Sequence, residues 1–304
     1  MPAEKIKEGL DILRRLGVME VVFSGGNPLL RDDIGEILSY ASKHFITTVY
    51  DNGSLAAEKI DALRDVDFVA ISLDTLDEER NDYIKGVPEA WKKAMDAIQK
   101  LHEERISVAV SPTISRLNLT EIVSFTRHFT DRNIPVWYCL YGHDTTAEDK
   151  LFGIGKKVDE FEISDKEAVA NVFDTLVEMK KERNGIFITT RTLEALKKLF
   201  LDGQRTWKCK ALQSFFVIDQ LGKVAGCHCL KPVASVFELP DTWNSPKFES
   251  LRKEYSECTK CAYLCYIFYS LHSSVMGNVE VIRDQWKNAK MLLPQNRAQT
   301  IKDD

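Results

Sequence analysis

The first 138 residues of this 304-residue chain contain no cysteine, which leaves sulfur chemistry to the rest. No apolar run approaches the ~18 residues of a membrane span. The opening MPAEKIKEGL also lacks the apolar core of a signal peptide. These absences lead us to expect a cytoplasmic protein with no membrane partner. A basic excess is missing too: 41 Lys+Arg against 46 Asp+Glu leave a formal charge of −5. That balance argues against gripping a phosphate backbone, so no nucleic-acid partner is expected. There is no low-complexity tract and no repeat of fixed period. With 44% hydrophobic residues the chain has enough apolar surface for a core, which excludes wholesale disorder.

What is present is an alternation of short apolar runs with amphipathic stretches. Residues 2–16 place Ile6, Leu10, Leu13 and Leu16 on one helical face, and Gly17 is a natural stop. The run MEVVF (19–23) leads into Ser24-Gly25-Gly26-Asn27-Pro28, then a helix over 31–44 with Ile34, Ile37, Leu38 and Ala41 inward. Strands are expected at 46–50, 68–74, 106–112 and 135–141, with helices at 56–66, 89–104 and 119–132. Such spacing implies parallel β/α units and an α/β fold. The series opens on a helix, so a barrel built from it would lack its first strand. Beyond a polar stretch (142–162) come a long amphipathic helix over 163–184, a strand IFITT and a helix ending at Gly203. A hairpin over 215–226 is expected to turn at Leu221-Gly222. Two domains are expected: a partial barrel over 1–200 and a cysteine-rich α+β extension over 201–304.

Polar and glycine residues gather where the strands end, the usual location of function in β/α folds. The paired glycines Gly25 and Gly26 admit close approach of a ligand to the backbone and expose N–H groups to it. Asp51-Asn52-Gly53 is either a plain turn or a ligand contact. Gly153-Ile154-Gly155-Lys156 lacks the spacing and preceding strand of a phosphate loop and is discounted. Of the seven cysteines, Cys139 lies in an apolar strand and reads as core. The other six (Cys209, Cys227, Cys229, Cys258, Cys261 and Cys265) fall in one C-terminal stretch. Cys258-x-x-Cys261 has the spacing at which one tight turn points two thiolates at one metal. Spacing alone fits a tetrahedral zinc or a [4Fe–4S] cluster equally well.

Together these residues resemble the radical S-adenosylmethionine (radical SAM) superfamily. Phe23-Ser24-Gly25-Gly26-Asn27-Pro28-Leu29-Leu30-Arg31 is similar to its GGEP motif, Asp51-Asn52-Gly53 to its TNG turn, and Ile71-Ser72-Leu73-Asp74 to its SLD strand end. Cys209-x12-Gly222-x4-Cys227 followed by Cys258-x-x-Cys261 resembles the SPASM/twitch extension. The resemblance implies a partial (β/α)6 barrel. It places Gly25, Gly26, Asn27 and Pro28 at the cofactor's methionyl end, Asn52 on the adjoining turn, and Ser72 and Asp74 at its ribose. It further implies an auxiliary [4Fe–4S] cluster on Cys209, Cys227, Cys258 and Cys261, with Cys265 or Cys229 as substitute. The implied reaction is reductive cleavage of SAM, followed by hydrogen abstraction from a peptide or small-molecule substrate. An electron donor such as a ferredoxin or flavodoxin would be the partner.

Two departures stand out. The family's catalytic Cys-x3-Cys-x2-Cys is absent, and Asn27 replaces the motif's glutamate. From the position of Gly25-Gly26, the missing motif and strand are expected upstream of Met1 in a longer form. The competing reading is a shortened relative that kept only the auxiliary cluster, a non-catalytic iron–sulfur or zinc protein of electron transfer or assembly.

Overall fold

A computed structural model describes residues 1–142, 158, 160–259 and 263–288. His143, Asp144, the Gly153–Lys156 stretch and Cys261 lie outside the described residues. The chain begins with α1 (Ala3–Arg15), with Glu4 in its first turn and Arg14 and Arg15 in its last, the favourable sense for the helix dipole. Gly17, at φ +81°, turns the chain out of it. The β/α series follows as β1 (Glu20–Phe23), α2 (Ile34–Ser42), β2 (Ile46–Asp51), α3 (Ile60–Leu63), β3 (Phe68–Ile71), α4 (Glu78–Lys85), α5 (Ala90–Glu103), β4 (Val108–Val110), β5 (Thr113–Ile114), α6 (Ile122–Thr130) and β6 (Cys139–Leu140). Strands β1-β2-β3-β4 form one parallel sheet in sequence order, with Val49 opposite Val69 and Val69 opposite Val108. Single parallel bridges from Val110 to Val136 and from Val136 to Ile186 carry the wall onward. This is the α/β partial barrel expected, with β1 at the edge of its sheet.

Side-chain alternation along the strands sorts the wall into two faces. Val49, Val69, Ile71, Val108, Val110, Val136, Tyr138 and Ile186 are buried with the helices' Leu38, Ala97, Ile98, Leu101, Phe125 and Phe173. The intervening residues face inward, where Trp137 meets Tyr50, Phe68 and Phe187 ring to ring. The inward face of helix α2 is as read from the sequence: Ile34, Ile37, Leu38 and Ala41 are all buried.

Three elements and one side chain differ from expectation. The helix expected over 56–66 is one turn, α3, because residues 54–58 wind as turns over the Asp51–Gly53 loop, where Asn52 Oδ1 accepts the Ser54 N–H at 2.9 Å. The loop after β3 contains α4, whose polar sequence EERNDYIK carries no apolar period. It is defined instead by its ends: Asp77 accepts the Arg80 N–H, and Gly86 takes the left-handed conformation. The strand expected at IFITT contributes only the bridge at Ile186. Cys139 is not part of the apolar core; its neighbours Tyr138 and Leu140 are, which turns the thiol inward, 3.6 Å from Ser111 Oγ.

Beyond the barrel lie α7 (Lys166–Glu182) and α8 (Thr190–Asp202), packed on each other, then the antiparallel strands β7 (Val217–Ile218), β8 (Lys223–Ala225) and β9 (Ala234–Ser235). The expected hairpin turns over Asp219–Gly222, where the Asp219 carboxylate accepts the N–H groups of Leu221 and Lys223. The helices α9 (Leu239–Thr242), α10 (Pro246–Ser256), α11 (Leu264–Leu271) and α12 (Val275–Gln285) complete the described chain. A second core joins the two ends of the protein: Leu10, Ile12 and Leu13 of α1 pack with Ala211, Leu212, Val224, Val236, Leu239 and Phe248. Helix α11 belongs to the barrel's core through Leu264, Ile267 and Leu271. No helix among the described residues is long and apolar enough to cross a membrane.

Gly53 is the tightest joint of this framework. Its φ is +82°, and a Cβ there would sit 2.5 Å from Ala94 Cα on α5. Gly53→Ala is expected to lower stability by about 1–3 kcal/mol, read as a drop in the urea midpoint at unchanged slope. An unchanged midpoint would show that β2 and α5 are not held at this distance.

Candidate functional site

Three loops converge at the strand ends. After β1, Gly25 has φ +130°, and a Cβ on either Gly25 or Gly26 would meet nothing within 4 Å among the described residues, which leaves the backbone open to a ligand on their side. Asn27 is fully engaged. Its Oδ1 accepts the Leu29 N–H at 2.8 Å, and its Nδ2 donates to Asn52 Oδ1 at 3.2 Å and Ser54 Oγ at 3.0 Å. The residue that stands for the motif's glutamate therefore links the first loop to the second. Pro28 opens the single 3-10 turn that Asn27 caps. In the second loop, Asp51 Oδ1 accepts the Gly53 N–H at 2.6 Å, while the buried Oδ2 has no partner among the described residues. Burial pushes the Asp51 carboxyl above its usual range, opposed by the Gly53 N–H and the nearby Asn27 amide.

The third loop, after β3, is organised by a lysine that no motif includes. Lys85 Nζ, at the end of α4, lies 2.7 Å from Ser72 Oγ and 2.7 Å from Asp74 Oδ2. Asp74 is 2% exposed, and its other oxygen accepts the Thr113 N–H at 2.7 Å. Asn118, fully buried, completes the joint by donating to the carbonyls of Asp74 and Thr113. Ser72 thus reaches the mouth while Asp74 lies beneath it. The Cys139 thiol is close enough to feel the charges of Asp74 and Lys85, and burial pushes it up, so it stays protonated near neutrality.

The sulfur-rich extension forms a separate site. Cys209, Cys227, Cys229 and Cys258 line one cavity of about 450 Å³, open solvent included, with Trp207, Phe215 and Tyr266 among its walls. The Cys209 thiol is pushed up by burial and by Cys258 nearby, with Arg205 opposing. The Tyr255 hydroxyl is pushed up to about 12, first by burial and then by neighbours that include Cys227 and Cys258. Gly226 leaves room for that ring: a Cβ there would meet it at 2.9 Å. Among the described residues, no three His, Cys, Asp or Glu side chains already form a group that could hold a single ion. Cys265 is exposed and does not line the cavity; it stands near Tyr50 and Tyr269 instead. Tyr269 donates to Glu20 of β1 at 2.7 Å, and burial raises that carboxyl.

Sequence reasoning missed Lys85, because α4 has no apolar period, and it missed the Asn118 joint. The sequence offers Cys229 only as a substitute ligand on a par with Cys265, and it is Cys229 that lines the cavity.

The class these features define is a partial parallel β/α barrel with open strand-end loops and a cysteine-rich C-terminal extension. Residues 1–129 match the family model of the Radical SAM superfamily, and this part of the chain belongs to that superfamily. The chain is 25% identical over 288 residues to an AdoMet-dependent heme synthase of Methanosarcina barkeri, covering 88% of this chain and 80% of that protein. A probable GTP 3′,8-cyclase of Methanocella arvoryzae is 31% identical over 133 residues, which span 43% of this chain and 41% of that one. Among solved structures, anSMEcpe with bound AdoMet and Kp18Cys peptide superposes with a TM-score of 0.60 at 14% identity, covering 94% of this chain and 89% of that one. That likeness is one of fold. The family read from the motifs is the family these matches identify.

Because the buried Asp51 carboxyl holds its proton more tightly folded than unfolded, its contribution to stability is greatest below the ordinary aspartate value near 4. That contribution falls as pH rises through the raised folded value. Asp51→Asn keeps an acceptor for the Gly53 N–H and removes the unpartnered charge. At pH 7 it is expected to stabilise the fold by ~1 kcal/mol and to flatten the stability loss between acid and neutral pH. Destabilisation at pH 7 with the pH slope intact would show that the charge is compensated.

Proposed function

We propose that this chain is the SAM-binding barrel and cluster-holding extension of a radical SAM enzyme acting on a peptide or small-molecule substrate. The observation that carries the proposal is the pairing of two features. Open glycine loops lie at the strand ends, and four cysteines from three separate segments line one cavity. The thiol donor set fits an iron–sulfur cluster. In this reading Cys209, Cys227 and Cys258 hold an auxiliary [4Fe–4S] cluster, and Cys261 is the fourth ligand by its spacing. Cys229 is the substitute ahead of Cys265, because it lines the cavity. Residues 1–200 form the barrel unit and 201–304 the cluster unit.

When bound, SAM and a reduced cluster supply one-electron cleavage of a carbon–sulfur bond, and an auxiliary cluster supplies a substrate anchor or an electron sink. The chain's own part is positional. The Gly25 and Gly26 backbone receives the methionyl end, with Asn27 and Pro28 holding that loop against Asn52. Ser72 faces the ribose. The aromatic layer of Phe68, Trp137 and Phe187 keeps water from the barrel interior. A ferredoxin- or flavodoxin-like donor is the proposed electron source. The three-cysteine motif has no counterpart in these 304 residues, so cleavage is proposed for a form of the protein that supplies it. That absence also favours a second reading, in which the chain is a non-catalytic iron–sulfur or zinc protein of electron transfer or assembly.

Anaerobic reconstitution is expected to give about four irons and four sulfides per chain. Cys209→Ala and Cys258→Ala should lose the visible absorbance, and Cys139→Ala and Cys265→Ala should retain it. Zinc without sulfide would sink the cluster assignment. With reductant and SAM, this chain alone should release no 5′-deoxyadenosine; steady release would show that the chain carries a catalytic cluster on other ligands.

A further inference from the structure

Lys85 has a hydrogen-bonding pattern that leaves donors over. An ammonium has three donors and no acceptor. Among the described residues two of the three are used, on Asp74 Oδ2 and Ser72 Oγ, each at 2.7 Å. Since Ser72 Oγ accepts from Lys85, its own hydrogen is free to donate elsewhere. The Lys85 side chain is 21% exposed and Ser72 is half-buried, so both reach the barrel mouth. The result is two donors 2.7 Å apart, one on each atom. Asp74 neutralises the ammonium from below and is itself fixed by the Thr113 N–H, while Asn118 holds its backbone. A neutral pair of adjacent donors suits two neighbouring neutral acceptors, such as the oxygens of a vicinal diol, better than a second anion beside Asp74.

We infer that Lys85 and Ser72 together bind the ribose diol of the nucleoside cofactor, and that Asp74 is a positioning residue for Lys85 and does not touch the ligand. This rests on the reading of the barrel as a SAM site. It assigns a ligand contact to a residue outside every motif and moves Asp74 from contact to support. Delivery of Lys85 depends on α4: its start is capped by Asp77 and its end is turned by Gly86 at φ +65°, directly after Lys85.

The test is equilibrium dialysis of SAM, 2′-deoxy-SAM and 3′-deoxy-SAM against the full chain and its variants. Wild type should bind SAM about tenfold more tightly than the deoxy compounds. Lys85→Met should weaken SAM by about that factor and lose the preference over one of the two deoxy compounds, the one lacking the hydroxyl that Lys85 meets, while the donor on Ser72 keeps the other. The double variant Lys85→Met/Asp74→Asn removes the buried charge left by the single change; it should fold normally by circular dichroism and show the same loss of discrimination. Asp74→Asn alone should weaken SAM while keeping part of the preference, because the lysine is still present but less well held. If Lys85→Met keeps the wild-type preference over both deoxy compounds, the diol contact is wrong. If wild type binds none of the three ligands, the cofactor reading of the barrel fails, independently of Lys85.

Discussion

The alternation of side chains along the parallel strands governs the rest of this molecule. Each strand sends one set of residues to the helix layer and the next set to the barrel interior. On β6 and the residues before it, Val136, Tyr138 and Leu140 join the helix-side core, and Trp137 and Cys139 face inward. Around β3, Val69, Ile71 and Leu73 lie in the same core, while Phe68 turns to the interior rings and Ser72 and Asp74 follow it on that side. A one-residue slip of register would exchange the two sets and bury the polar strand ends among leucines and phenylalanines. Packing of the helix side therefore decides which polar groups meet at the mouth.

The two candidate sites sit on different supports. The strand-end site is held by polar joints between consecutive loops: Asn27 to Asn52 and Ser54, Lys85 to Ser72 and Asp74, Asn118 to Asp74 and Thr113. The thiol-lined cavity rests instead on apolar packing that brings the first helix against the last third of the chain. Burial of Leu10, Ile12 and Leu13 there contributes about 1.5–3 kcal/mol per side chain, which anchors the extension to the barrel. The Met1 amino group donates to the Gln220 carbonyl at 2.9 Å, a further tie between the two ends. Helix α11 adds another link, with Tyr263 at Gly142 after β6 and Tyr269 on Glu20 of β1.

Much of this was legible in the chain itself. Strands β1 to β4 and helices α1, α2 and α5 to α8 follow from short apolar runs and period-3.6 patterns, and the inward face of α2 matched residue by residue. The motif loops were found because Gly25-Gly26, Asp51-Asn52-Gly53 and Ser72-Leu73-Asp74 carry their chemistry in adjacent residues. Helix α4 escaped because its stability comes from capping and polar contacts, which leave no apolar repeat. The inward turn of Cys139 escaped because an apolar strand with a helix on one side and an interior on the other shows hydrophobic residues on both faces.

The sequence by itself determined the α/β class, the superfamily of residues 1–129, the position of the glycine loops and the C-terminal concentration of cysteine. Each is read from short stretches of neighbouring residues, taken one after another along the chain, where local backbone preference and periodicity operate. Only the tertiary structure decided which groups meet: that Asn27 is committed to the second loop, that Lys85 stands over Ser72 and Asp74, and that Cys229 lines the cavity while Cys265 does not. Those meetings depend on strand register and on packing between segments up to 250 residues apart, such as Glu20 and Tyr269. No local pattern encodes such distances, because they are set by how the whole core closes.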